Sequence, residues 1–234
     1  MTHIPRILLL TLLAFILVVS FSLLIGEVFT DPTTRRDGTY KAASEAESCG
    51  YLTAEITIEE EEIVHVSLTE YDNKGRVKDE TYPYEPWHEA MDVLSESFVK
   101  ADGPEVDAVS SATKTSHRAM NAVDRALSKS KGNTGPFDGY FMGVSEDEDG
   151  RGIAIVRLDD GNIVDVVLEE IDESEEFIEG DYDHQLWYDA QDKLKTQFIE
   201  NNTHKVDVFT GATVSSERWI EAVKHALENA GKIN

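Results

Sequence analysis

Two short segments of the chain combine hydroxyl-bearing and small residues in the same order, each next to a predicted helix. They are residues 107–116, DAVSSATKTS, and residues 207–216, DVFTGATVSS. Backbone N–H groups and the helix dipole favour a phosphate at a helix N-terminus, and small side chains let a ligand approach the backbone closely. A threonine hydroxyl in this position can bind a phosphate or be esterified by one. The segments therefore predict two phosphate-binding sites.

A purely structural role explains a single segment of this kind equally well. Ser and Thr before a helix are the commonest N-caps, and Ser116 or Ser216 would cap helices that start at these residues. Two copies of D-x-x-[S/T]-[S/G]-A-T at the same place exceed what capping requires. We therefore favour a ligand site and keep N-capping as the alternative.

At these residues the sequence resembles the FMN-binding domain family. DAVSSAT and DVFTGAT look like the flavinylation motif of this family. The family includes the C subunit of sodium-pumping NADH:quinone reductase, the G subunit of Rnf-type complexes and extracellular carriers with several copies. In these relatives a separate flavin transferase moves FMN from FAD onto the last threonine of the motif as a phosphoester. The resemblance covers nearly all of residues 37–230.

Carried over by position, the resemblance implies covalent FMN, attached through its phosphate, on Thr113 and Thr213. It also implies a lining for the phosphate and ribityl chain, made of Ser110, Ser111, Ala112, Thr115, Thr210, Gly211, Ala212 and Ser215. Asp107 and Asp207 occupy the acidic position that the resemblance links to transferase recognition, and turn stabilisation is the alternative role. Ser111 departs from the glycine common in the family. If the backbone has a positive φ there, Ser costs about 1 kcal/mol, which favours occupancy of the second site.

The elements that must hold these segments form two copies of one unit. Trp87 recurs as Trp187, and the same spacing of one hundred positions matches many residues around both. Apolar–polar alternation predicts strands at 38–43, 51–58 and 63–70, and again at 139–145, 152–158 and 163–171. A helix with Trp, Leu and Phe on one face follows in each copy, and Ala-rich helices at 116–128 and 216–230 close them. This order indicates an α+β fold with mainly antiparallel sheets.

The chain divides accordingly into four parts. These are a membrane anchor at 1–30, a first repeat at 37–130, a linker at 131–136 and a second repeat at 137–234. Residues 159–162, DDGN, predict a hairpin turn in the second copy. The spacing between the copies becomes 101 near their starts, so one residue was gained or lost in the early strands. We expect Trp87 and Trp187 to belong to the core rather than to stack on a cofactor.

The first thirty residues differ in composition from the rest. Residues 7–26, ILLLTLLAFILVVSFSLLIG, carry no charge, and a helix of this length spans about 30 Å, the thickness of a bilayer core. The run is longer than the apolar region of a cleaved signal peptide, and no small-residue cleavage site follows it. We expect an uncleaved transmembrane helix with Arg6 in the cytoplasm and the bulk of the chain outside.

The remaining composition excludes several functions. The formal net charge of −25 argues against nucleic acid as a partner, because phosphate binding needs an excess of Lys and Arg. Cys49 is the single cysteine, so it cannot form an internal disulfide, and we expect it to be a small buried residue. The histidines lack metal-site spacing. No nucleophile or acid–base arrangement can be singled out, so no catalytic residue is assigned.

The expected function is that of a membrane-anchored, extracytoplasmic flavoprotein that relays electrons, rather than an enzyme with its own substrate. The expected partners are a flavin transferase that uses FAD as donor, a membrane redox partner such as a quinone-linked dehydrogenase, and the lipid bilayer. One alternative is a non-redox cell-surface binding or sensor module without flavin. A weaker alternative is an extracellular flavin reductase.

Overall fold

A computed structural model describes residues 34–145, 150–178 and 183–233. The first repeat contains strands β1 (Gly38–Ala43), β2 (Tyr51–Glu59) and β3 (Glu62–Tyr71), followed by helices α1 (Glu85–Ala101) and α2 (Thr113–Ser130). The second repeat has the same order, with β4 (Gly139–Val144), β5 (Arg151–Asp159), β6 (Asn162–Ile171), α3 (Gln185–Asn201) and α4 (Thr213–Asn229). The predicted α+β class, with two units of sheet and helices, is confirmed.

The predicted membrane anchor lies outside the described residues, which begin at residue 34. Within the part of the chain that the structure describes, no helix has the length and apolar character needed to cross a bilayer. The helices α1 to α4 are instead amphipathic and lie against the two sheets.

Each sheet is a three-stranded antiparallel meander in which neighbours along the chain pair with each other. The predicted hairpin is confirmed, because Asp160 and Gly161 join β5 to β6 with φ angles of 49° and 69°, as a type I′ turn requires. Glu60 and Glu61 adopt positive φ in the matching turn of the first repeat. The one-residue difference between the copies was predicted in the early strands but lies in the loop between the first two strands of each repeat, where residues 44–50 correspond to the shorter 145–150.

Both helices of a repeat cover the same face of its sheet. In the first repeat, alternate residues of β2 such as Ala54 and Ile56 point to this face and pack against Leu94 and Phe98 of α1 and against α2. The second repeat has the matching core around Phe198. Complete burial of each such phenylalanine contributes roughly 1.5–3 kcal/mol. Trp87 and Trp187 are also buried, as predicted.

The end of the first helix in each repeat is fixed to the start of the third strand. Asp102, which ends α1, has a left-handed backbone with φ 48°, and its Oδ1 accepts the N–H of Ile63 at 2.9 Å. Asn202 ends α3 with φ 52°, and its Oδ1 accepts the N–H of Ile163 at 2.9 Å. These matching bonds orient each helix just before the chain enters the motif.

A third apolar cluster contains residues from both repeats. Tyr51 of β2 is buried there with Ile153 and Ile171 of the second repeat, and burial raises the pKa of its hydroxyl. The main chains also meet, because the N–H of Ala46 donates to the carbonyl of Tyr140 at 2.8 Å. Residues 35–234 accordingly form one compact unit.

Arg125 of α2 is buried where the linker enters the second repeat. Its guanidinium donates to the carbonyls of Ala43 at 3.0 Å and Asp138 at 3.1 Å. The same group lies 4.8 Å from the ring centroid of Phe141, a cation–π geometry. Arg125 therefore connects β1 of the first repeat to the segment that leads into β4.

We expect fragments 37–130 and 136–234 each to unfold cooperatively, because each retains a sheet, two helices and its own core. Each fragment should melt at a lower temperature than the joined protein, since separation exposes Tyr51, Ile153 and Ile171 to water. Scanning calorimetry of the fragments and of residues 35–234 measures the difference. If neither fragment shows a cooperative transition while the joined protein does, the repeats form a single folding unit.

Candidate functional site

Both closing helices begin at the motif threonine itself. Helix α2 starts at Thr113 and α4 starts at Thr213, three residues earlier than the sequence predicted. The N-cap residues are Ala112 and Ala212, and neither position has a side-chain cap hydrogen bond. The first N–H groups of a helix have no partner within the helix. Each threonine hydroxyl therefore lies beside backbone donors that a ligand can use.

The alternative in which Ser116 and Ser216 cap these helices is wrong, because both residues lie one turn inside. The Ser116 hydroxyl accepts the N–H of Val109 at 3.0 Å and donates to the carbonyl of Ala112 at 3.0 Å. Ser216 makes the same two bonds in the second repeat, at 3.1 and 2.7 Å. These buried hydroxyls hold the motif turn against its helix.

The residue before each N-cap has a positive φ. The angle is 66° at Ser111 and 94° at Gly211, so the cost of about 1 kcal/mol that the sequence suggested for a serine applies in the first repeat. At Gly211 a Cβ would also lie 2.6 Å from Cδ1 of Leu186, so a side chain there would require the exposed Leu186 side chain to move. In the first repeat, Pro86 occupies the position that corresponds to Leu186. There the Tyr84 hydroxyl donates a hydrogen bond to the Ser111 carbonyl at 2.8 Å.

A buried glutamate supports the start of α2. Glu70 is the penultimate residue of β3, and its side chain is completely buried. Its carboxylate accepts hydrogen bonds from Trp87 Nε1 at 2.7 Å, Thr115 Oγ1 at 2.9 Å, Arg118 Nη1 at 2.6 Å and Lys78 Nζ at 2.9 Å. One carboxylate thus joins the sheet, the first helix and the motif helix.

The second repeat has the corresponding buried glutamate. Glu170 of β6 accepts from Trp187 Nε1 at 2.6 Å and from Arg218 Nη1 at 2.8 Å. Trp219, at the position of Ala119 in the first repeat, packs edge-on against Trp187 with the ring centroids 5.3 Å apart. The two sites therefore share the carboxylate, the tryptophan and the arginine but differ in their surroundings.

Sequence reasoning missed Glu70 and Glu170. In β3 the residues Val66, Leu68 and Glu70 alternate onto the face that carries the core, and β6 repeats the pattern. A carboxylate on an apolar face needs compensating donors. Its recurrence in both copies was the signal that a buried ion pair was present.

Arg118 contacts three groups near the start of α2. Besides Glu70, its Nη2 lies 3.1 Å from Oε2 of Glu47 and 2.5 Å from Sγ of Cys49. Burial lowers the pKa of Arg118, but Cys49, Glu70 and Glu47 together raise it above its ordinary value, so the guanidinium stays charged. Its buried Nε has no partner among the described residues. Cys49 is partly exposed rather than buried as expected.

A cavity of about 370 Å³ lies at the start of α2, within the size range of small-molecule sites. Its walls combine the motif, the residues around the buried carboxylate and two tyrosines. They are formed by Cys49, Glu70, Lys78, Tyr82, Tyr84, Trp87, Ser111, Ala112, Thr113, Lys114, Thr115 and Arg118. Aromatic rings beside a helix N-terminus suit a ligand that has both a phosphate and a planar ring.

The predicted site residues fall into two groups by exposure. Those on the surface are Asp107, Ser110, Ser111, Thr113, Asp207, Thr210, Gly211 and Thr213. Ala112, Thr115 and Ala212 are buried, and Ser215 is partly buried. Thr115 borders the cavity, but its hydroxyl is donated to Glu70, so it anchors the helix from the inside.

The FMN-binding domain family matches the chain twice, over residues 50–128 and 151–228. These regions make up more than half of the chain, so the chain belongs to the FMN-binding domain family and consists of two tandem FMN-binding repeats after residue 34. No curated protein sequence matches the chain.

Two solved structures are similar to a part of the chain about as long as one repeat. The crystal structure of a Clostridium perfringens protein shares 14% identity with a TM-score of 0.36, over 42% of this chain and 90% of that chain. The solution NMR structure of a Clostridium thermocellum protein shares 19% identity with a TM-score of 0.31, over 40% of this chain and 90% of that chain.

The residues at the first site fit FMN. The N-terminus of α2 offers backbone donors to its phosphate beside Thr113. The buried Nε of Arg118 offers a further donor, and the rings of Tyr82 and Tyr84 border the cavity. In the second repeat, Thr213 likewise begins a helix with an alanine N-cap, and Glu170 pairs with Arg218.

Replacing Glu70 with Gln should lower the free energy of unfolding by about 3 kcal/mol, because it leaves the buried Arg118 with only the half-exposed Glu47 as an ion-pair partner. The Arg118→Met change should cost a similar amount. The double variant should cost less than the sum, since the two side chains share one interaction. Urea unfolding followed by tryptophan fluorescence measures all three.

The control is Glu62→Gln, an exposed carboxylate on the same strand, which should change the unfolding free energy by less than about 0.5 kcal/mol. If the changes in unfolding free energy of Glu70→Gln and Arg118→Met simply add in the double variant, the ion pair does not contribute to holding the motif helix.

Proposed function

We propose that this protein is an electron-relaying flavoprotein that holds FMN covalently, through its phosphate, on Thr113 and on Thr213. One observation carries the proposal. In both repeats an exposed threonine is the first residue of a helix whose N-cap is an alanine. A hydroxyl and free backbone donors are therefore offered at one point of the surface, and membership of the FMN-binding domain family supports FMN as the ligand.

Attachment of the flavin requires a flavin transferase with FAD as donor. The bond from the threonine Oγ to the FMN phosphorus forms, the pyrophosphate bond of FAD breaks, AMP leaves and the hydroxyl proton is released. Backbone N–H groups at the helix start bind the phosphate oxygens, and the helix dipole favours their charge. The exposure of both threonines makes them accessible in the folded protein.

The transferase is proposed to recognise the surface around the motif aspartates. Asp107 and Asp207 are exposed five residues before the N-cap alanines. Asp107 also borders a groove of about 720 Å³ between α1 and the extended stretch that leads into the motif. A transferase that binds the motif can thus contact Asp107 and the outer face of α1 at the same time.

FMN, when bound, supplies the redox chemistry, and the chain binds and orients it. Electron relay requires no catalytic acid or base from the protein, which suits a site whose carboxylate is already held by Arg118 and Trp87. The proposed electron partner is a membrane protein such as a quinone-linked dehydrogenase. We further propose that residues 1–30 anchor the chain in the bilayer and leave both repeats outside the cytoplasm.

Thr213→Val should remove covalent flavin from the second repeat, and Thr113→Val should remove it from the first, because valine keeps the shape and loses only the hydroxyl. After co-expression with a flavin transferase, the intact mass should fall by one FMN phosphoester per variant. The double variant should be colourless after denaturation. Thr115→Ala and Ser215→Ala serve as controls and should retain some covalent flavin.

Peptide mapping that located FMN on Thr115 or Ser215 would move the attachment point within the motif. An unmodified wild-type chain in the presence of a competent transferase would contradict the proposal and favour a non-redox binding or sensor module.

The full-length protein should remain in the membrane fraction after washing with high salt, because residues 7–26 are uncharged and long enough to span a bilayer as a helix. Deletion of residues 1–30 should release it into the soluble fraction. Immunoblotting of the two fractions measures both. A mature protein whose N-terminus follows Gly26 would contradict the anchor.

A further inference from the structure

The two FMN sites differ in charge at two matched positions. Lys78 and Ile178 occupy the same place, because each donates its backbone N–H at 2.8 Å to the carbonyl of the buried glutamate of its repeat. Lys114 and Val214 are likewise matched as the second residues of α2 and α4. The first site therefore carries two ammonium groups where the second carries two aliphatic side chains.

Lys78 is the more influential of the two cations because it is nearly buried. Its side chain is 10% exposed, and its Nζ lies 2.9 Å from Oε1 of Glu70 and 4.7 Å from the ring centroid of Tyr82. It borders the same cavity as Thr113. A charge in such a place is screened much less by solvent and salt than a surface charge.

Other charges do not remove this difference. Each site keeps one buried glutamate paired with one arginine, Arg118 or Arg218. In the first repeat Arg118 also pairs with the half-exposed Glu47, and Glu85 stands where the second repeat has Gln185. These negative charges are offset in sequence by residues 145–150, which contain four acidic residues where residues 44–50 contain two. The segments that follow Lys78 and Ile178 in sequence, residues 79–82 and 179–182, contain two acidic residues each. The lysines at 78 and 114 therefore leave the first site more positive.

Positive charge beside a flavin favours its reduced form. Addition of two electrons and one proton to the neutral ring gives a ring with one negative charge, and a nearby cation stabilises that charge. The same ring beside Ile178 and Val214 lacks this stabilisation. Two FMN groups bound at these sites would thus have unequal electrostatic environments.

We infer that the flavin on the first repeat has the higher reduction potential and that Lys78 is the main cause. This inference rests on the proposed loading of both threonines with FMN. In the transfer, a reduced ring on Thr213 would give two electrons and one proton to an oxidised ring on Thr113, so that the ring on Thr213 is oxidised and the ring on Thr113 is reduced. Electrons therefore collect on the first repeat.

The potentials of the two sites can be measured separately in the full-length protein. Thr213→Val leaves flavin on the first repeat only, and Thr113→Val leaves it on the second only. In a spectroelectrochemical titration, the equilibrium constant for reduction should be at least tenfold larger at the first site than at the second. This ratio corresponds to a reduction potential that is higher by about 30 mV for a two-electron couple. Equal potentials, or a higher potential at the second site, would overturn the inference.

Reciprocal exchanges test the role of Lys78. In the protein with flavin on the first repeat, Lys78→Met should lower the potential and Lys78→Arg should preserve it. In the protein with flavin on the second repeat, Ile178→Lys should raise the potential, because the new ammonium would lie beside Glu170. An unchanged potential in both Lys78→Met and Ile178→Lys would exclude Lys78 as the cause.

Flavin loading is recorded in the same samples by intact mass and visible absorbance. Absence of the FMN mass increment from the parent proteins would mean that the proposed function itself fails. Loaded proteins whose potentials do not respond to the exchanges would overturn only the inference. Ile178→Lys keeps the test decisive if Lys78→Met weakens folding around Glu70.

Discussion

One buried carboxylate in each repeat fixes the motif helix to the sheet. A carboxylate removed from water is costly unless charged and hydrogen-bonding partners compensate it fully. Glu70 finds those partners on α1 through Trp87 and on α2 through Thr115 and Arg118. Since all three elements meet at this group, a shift of either helix against the sheet breaks a hydrogen bond to the buried carboxylate. The start of α2 therefore has a rigid base, although its first residue faces water.

The hydroxyl groups of the motif have different surroundings because successive residues of a helix point in different directions. Thr113 begins the helix and is exposed, whereas Thr115 and Ser116 turn inward to Glu70 and to the preceding turn. The inner hydroxyls are occupied by protein partners, and the outer one is left available. In the first turn of α2 this division leaves Thr113 as the hydroxyl that faces solvent.

The architecture was largely predictable, because alternation along the strands and the recurrence of Trp87 as Trp187 reflect local geometry and duplication. The strands lie within one or two residues of their expected limits, and the hairpin at Asp160 and Gly161 follows from turn chemistry. The starts of α2 and α4 were predicted too late because Ser116 and Ser216 resemble N-caps in sequence, whereas in the structure the Ser116 hydroxyl accepts the N–H of Val109 from within the helix. Three of the partners of Glu70, namely Trp87, Thr115 and Arg118, lie 17 to 48 residues along the chain, beyond the reach of local patterns.

The cluster shared between the repeats makes the two copies non-interchangeable. Tyr51 fills it from the first copy, where the second has Arg151, which pairs with Glu175. Phe177 packs on it from the second copy, where the first has an exposed Val77. The two copies therefore contribute different side chains to this junction from matched positions, in a fixed order. Two first copies in tandem would place Val77 at this junction, and two second copies would place the charged Arg151 there. A further identical repeat would therefore not form the same apolar contact.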